Sequence, residues 1–273
     1  MNVKMALAPV YYALVQARFN PVAKMGSYVD EIQERLRREG FSRFETLQTT
    51  QLQIGPSGDS ASQSPQLVPV PSWVFSRSDR SAGFILTTTF VSYHTTHYDT
   101  HRSFLPGLLR GLELVHAVVG LDHVARLGLR YLNAVWPEEG ETVDRYLVPG
   151  LHGIDAPFPL RYAMHESVFD TESGPLVSMG TLVVRVYRTT SPLGFPPDLV
   201  PHGLIPLTRF QAMEVRSHAV LDLDHAVEGT VPLDFGKIGD QLQNLHDTLS
   251  AVFLASTTDR AHAVWTLGPL EDR

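Results

Sequence analysis

The order in which two hydrophobic periods alternate along this chain limits its fold more than any single motif does. Leu14 to Phe19 alternates as a strand and is closed by Pro21. Tyr28, Val29, Ile32 and Leu36 then recur at helical spacing, with Arg37 and Arg38 late in the helix and Gly40 placed to cap it. Phe41 to Ile54 reads as extended. The Gly-, Ser- and Pro-rich stretch Gly55 to Ser72 reads as a mobile loop. Trp73 to Ser76 and Phe84 to Tyr93 read as strands paired antiparallel through a turn at Asp79 to Gly83. A helix follows from about Arg102 to Val119, and Val124 to Trp136 is the next strand. Beyond the charged connector Pro137 to Pro157 come strands near Leu160–Phe169, Val177–Thr189 and Arg209–Asp222. A helix at about Phe235–Ser256 and a final strand at Ala261–Leu267 complete the series.

Runs of neighbouring strands punctuated by single helices predict an α+β fold, with antiparallel β-sheets and about three long helices, rather than βαβ winding. The two halves echo one another as strands, a helix and a return strand ending in Trp136 or Trp265. The chain is therefore read as a single two-lobed unit, with lobes at about 1–136 and 158–273.

Charge divides unevenly between the halves. Residues 1–136 carry 13 Lys and Arg against 10 Asp and Glu, whereas residues 137–273 carry 9 against 19, so +3 and -10 make the net -7. Such asymmetry suits attraction between the halves or docking of a basic partner on the second. A net acidic chain without a Lys/Arg cluster argues against nucleic acid as the partner. There is no cysteine, which removes disulfides, thiolate metal sites and cysteine nucleophiles and fits a cytoplasmic location. No apolar run approaches the ~20 residues that span a bilayer. Met5 to Val15 has the look of a signal-peptide core, but Pro9 interrupts it and the segment is expected to be a buried first strand.

The segments PVYYALVQARFNPV, WVFSRSD, RLGLRYLNAV and LHDTLSAVF, the last followed by Thr257, Thr258 and Trp265, span nearly the whole chain. In combination they resemble a sporadically distributed bacterial family of unknown function. The resemblance implies a shared fold and no assigned chemistry. The stretch YHTTHYDTH departs from that family in carrying more histidines.

The strand Arg126 to Asn133 (RLGLRYLN) carries the most chemistry. Period-two geometry puts Arg126, Gly128, Arg130 and Leu132 on one face and Leu127, Leu129, Tyr131 and Asn133 on the other. The two arginines stand ~13 Å apart along their face. With Arg18 on the first strand and Asp222 and Asp224 in the acidic half, two arrangements are open. One is an arginine-lined pocket for a carboxylate, phosphate or acidic peptide. The other is an internal ion-pair ladder in which Arg126 or Arg130 meets Asp222 or Asp224, favoured because buried arginines need protein partners. His94, His97 and His101 have a spacing that presents two or three imidazoles to a divalent metal if the segment is helical. A histidine-rich exposed turn is the simpler account. His246 sits near the apolar stripe of the last helix and reads as a semi-buried, satisfied histidine.

No G-x-S-x-G, H-E-x-x-H, P-loop or G-x-G-x-x-G signature occurs. The leading expectation is a non-catalytic accessory or regulatory protein that binds another protein or peptide and needs no cofactor. Antitoxin, immunity and defence components are its analogues. The alternative is a metal- or anion-dependent enzyme using Arg126/Arg130, Asp222/Asp224 or His94/His97/His101. Oligomeric state is not legible.

Overall fold

A computed structural model of the chain describes residues 5–53, 66–154, 157–211 and 213–267. Nine strands form one antiparallel sheet in the order β2-β3-β4-β5-β1-β6-β9-β8-β7. They are β1 (Val10–Phe19), β2 (Arg43–Gln53), β3 (Gln66–Ser76), β4 (Ala82–Leu86), β5 (Phe90–Thr95), β6 (His123–Val135), β7 (Tyr162–Glu172), β8 (Met179–Ser191) and β9 (Arg216–Pro232). The helices are α1 (Met25–Arg38), α2 (His101–Val119), α3 (Phe235–Ser256) and α4 (Asp259–Leu267). The fold is α+β.

The central strands β1, β6 and β9 are apolar on the face that α2 and α3 cover. Val15, Leu127, Leu129, Leu221 and Leu223 pack there against Leu108, Leu112, Leu242 and Leu245. Two glycines let α2 sit this close. A Cβ on Gly107 would fall 2.3 Å from the Tyr93 ring, and one on Gly111 would fall 2.3 Å from the Phe84 ring. Aromatic side chains of β4 and β5 thus fill space that larger helix residues would otherwise occupy. On the opposite face, the proline-rich segment between β8 and β9 covers a smaller cluster that includes Tyr11, Tyr12, Leu132 and Phe210.

Several expectations are corrected. Ala261–Leu267 is not a strand but lies in α4: Ala261, Val264 and Trp265 are buried at helical spacing, and the Ala261 amide donates to Thr258 Oγ1 (3.3 Å) as at a helix start. Seven residues of mixed apolar character satisfy either period, and only the capping threonine separates them. Gln66–Ser72 belongs to β3, whereas Gly55–Pro65 lies outside the described residues. Pro69 and Pro71 are tolerated because this part of β3 pairs only with β2 and needs no donor on its other side. Phe84–Tyr93 is two strands, since Thr87 Oγ1 accepts from the amides of Thr89 and Phe90 (both 3.1 Å) and closes a turn. The last long strand starts at Arg216, not Arg209, and runs to Pro232. Asp222 and Asp224 therefore sit mid-strand rather than at its end. Among the described residues, no helix is long and apolar enough to cross a membrane.

Candidate functional site

Arg130 is the hub of the sheet face opposite α2 and α3. Its side chain is only 10% exposed and forms a two-pronged pair with the fully buried Asp222, Nε to Oδ1 at 2.8 Å and Nη2 to Oδ2 at 2.7 Å. The same guanidinium donates to Asp198 from the proline-rich segment, at 2.6 and 3.1 Å. Arg185 on β8 lies 3.7 Å from Asp222 and 2.6 Å from Glu166 on β7. Charge thus alternates from Asp198 through Arg130, Asp222 and Arg185 to Glu166, across four strands and a connection. Burial opposes the Arg130 charge, but the bonds from Asp222 and Asp198 outweigh it and its pKa rises. Burial lifts the Asp222 carboxyl above its ordinary range, and the two arginines offset that only in part. Arg126 lies 3.4 Å from Gln16 and 3.6 Å from Glu228. Arg18 is exposed, opposite Arg126 in the ladder, and Asp224 is half-buried opposite Arg130. A hollow of about 180 Å³ lies among Gln16, Arg126, Gly128, Arg130 and Asp224.

The three clustered histidines are dispersed by the fold. His94 is buried on β5, its Nδ1 2.9 Å from the Tyr12 hydroxyl, and burial with His202 nearby lowers its pKa to about 3. His97 is exposed in the following turn, and His101 opens α2, stacked on His246 with ring centroids 3.9 Å apart. Among the described residues no group of three or more His, Asp or Glu is arranged to hold a metal. The helical segment that would have brought the imidazoles together does not exist, because β5 continues to Thr95 and α2 begins only at His101.

On the helical side, a cleft of about 500 Å³ opens between the N-terminal segment, the start of α2, and α3 with α4. Tyr131 and Asn133, from the second face of β6, lie on its floor. The Tyr131 hydroxyl is 3.2 Å from His246 Nδ1, and His246 Nε2 is 3.3 Å from Ser250 Oγ. The Tyr98 hydroxyl reaches Tyr131 at 3.5 Å, long for a hydrogen bond. Burial, then His101, lowers the His246 pKa to about 4, so the imidazole is neutral at neutral pH. Tyr98, Ser250 and His262 were not singled out from the sequence. Tyr98 precedes α2 whereas Ser250 and His262 lie in α3 and α4, and helix packing brings them to one place.

Among the described residues the sheet ends at β7, an 11-residue strand with β8 as its ladder partner. Tyr162, Met164 and Val168 are exposed on one face and Phe169 on the other, and Phe158 and Leu160 lead into them. The opposite edge, β2, is by contrast rich in threonine and glutamine. Neither Asp170 nor Glu172 forms an ion pair among the described residues, whereas Glu166 is held by Arg185. No family model, curated protein or solved structure matches the chain.

Proposed function

We propose that this chain is a protein- or peptide-binding accessory protein, acting with its partner in the cytoplasm and without chemistry of its own. The partner lays an extended, basic segment along β7. The observation that carries this reading is the β7 edge, unpaired among the described residues, with its exposed Tyr162, Met164, Val168 and Phe169. An edge strand offers a row of unpaired N–H and C=O groups, and proteins blunt such edges with lysine, proline or a covering element. Here β7 carries neither lysine nor proline and exposes apolar side chains, as suits a surface that another strand covers. Charge selects the occupant. Asp170 and Glu172 stand at one end of β7, and residues 137–273 carry 9 basic against 19 acidic side chains. Lysine or arginine alternating with apolar residues complements that edge.

Selection of displayed extended peptides against the full chain tests this. Peptides so obtained should alternate apolar and basic residues and bind at about 1–100 μM. They should slow amide exchange in β7, and Val168→Lys or Met164→Lys should weaken them about tenfold or more. Peptides that protect another element, equal affinity for the lysine variants, or closure of the β7 edge by a second copy of this chain would each overturn the reading.

A further inference from the structure

The cleft over Tyr131 and Asn133 is remote in role from the β7 edge. We infer that it binds an uncharged, planar heteroaromatic small molecule carrying both an N–H donor and a carbonyl or ring-nitrogen acceptor, as nucleobases and pyridine carboxamides do. The volume of about 500 Å³ is that of a small-ligand site. Six rings line it, those of Tyr98, His101, Tyr131, His246, Phe253 and His262. Flat rings make their best contact with a flat ligand face, through offset or edge-on packing.

The polar groups set the ligand's edge. Asn133 is buried, and its amide nitrogen donates to the Leu221 carbonyl at 3.0 Å. Its carboxamide oxygen accepts no hydrogen bond from the described residues and is left for a donor in the cleft. The Tyr98 hydroxyl, held only by the 3.5 Å contact to Tyr131, can turn to donate to an acceptor. A ligand that carries both a donor and an acceptor can engage both groups. The local backbone is shaped for this: β1 bulges between Val10 and Tyr12, opposite Asn133, and both tyrosines Tyr11 and Tyr12 pack on the far face, leaving Val10 at the cleft wall. Among the described residues no charged side chain lies on the floor. The charged side chains among them at the cleft, Asp99 and Arg102, are exposed at its rim and opposite in sign, so the described lining favours neither an anion nor a cation.

Ligand-observed NMR and calorimetric titration of the full chain with uracil, cytosine, adenine and nicotinamide test the inference, with benzoate as the planar anion and cyclohexanol as the non-planar control. At least one of the four should bind with a Kd below about 1 mM and ahead of both controls. Tyr98→Phe should weaken it about tenfold, the cost of one hydrogen bond left unmade. Ser250→Trp should abolish binding by filling the cleft, and Leu254→Trp, at the exposed rim, does the same should the first variant not fold. Val168→Lys should leave binding unchanged, which separates this site from the β7 edge. Binding of none of the four, preference for benzoate, or equal binding by a folded tryptophan variant would overturn it.

Discussion

Arg130 and Asp222 are diagonal neighbours on adjacent strands: Arg130 stands opposite Asp224 in the ladder and Asp222 opposite Leu132, yet the two-pronged pair forms with Asp222. The diagonal is within reach of a long side chain, and it takes the guanidinium toward Asp198 and Arg185 rather than into the hollow beside Arg126. Four guanidinium hydrogen bonds are thereby satisfied internally.

Removing one partner of this pair should cost far more than removing both. Arg130→Ala leaves the buried Asp222 with only the longer 3.7 Å approach of Arg185, and is expected to lower unfolding free energy by about 3–5 kcal/mol in urea titrations. The double variant Arg130→Met/Asp222→Leu should recover most of that loss. A cost below about 1 kcal/mol for Arg130→Ala would mean that Asp222 finds other compensation.

Acid should weaken the fold through its buried histidines, most strongly His94 and His246. Burial depresses His94 to about 3 and His246 to about 4, against an ordinary 6.5. The unfolded chain therefore binds more protons between these values and 6.5, so stability is full above pH 6.5 and falls as pH drops below it. Between pH 6.5 and about pH 5, each histidine contributes a loss on the order of 2 kcal/mol. Urea midpoints measured across that window check it, and His246→Asn should flatten the dependence by its own share.

The two glycines of α2 should resist the substitution that helix propensity recommends. Alanine in a helix is worth up to about 1 kcal/mol over glycine. At Gly107 and Gly111 a new Cβ meets a ring at 2.3 Å, so alanine should instead destabilise by about 1–3 kcal/mol. Gly239→Ala in α3 meets only the end of Leu109, at 3.3 Å, and should be close to neutral or stabilising. Thermal melts of the three variants compare them directly.

Hydrogen exchange should divide the sheet. Amides of β6, paired on both sides by β1 and β9, are expected to open only with global unfolding. Outward-facing amides of β7 have no partner among the described residues and should exchange within the first time points, slowing when a β7 peptide binds.

Local periodicity made most elements visible. The stripe of α3 and the alternation of RLGLRYLN are properties of spacing alone, and a segment that long can bury its apolar residues in only one regular conformation. Where signals were short, they misled: Ala261–Leu267 suits both periods, and a threonine turn inside Phe84–Tyr93 leaves the alternation on either side intact. The division of β6 into an arginine face and a Tyr131/Asn133 face also follows from the sequence, since strand geometry permits no other.

What each face meets was decided by tertiary structure. That Arg130 takes Asp222 and Asp198 depends on β9 lying beside β6 and on the proline-rich segment folding back over the sheet. That Tyr131 meets His246 and Tyr98 depends on where α2 and α3 cross it. That β7, and not another strand, is left at an apolar edge depends on strand order. Period and spacing act between neighbours in the chain, whereas strand order and helix placement are set by contacts among residues about a hundred positions apart, which no local pattern encodes.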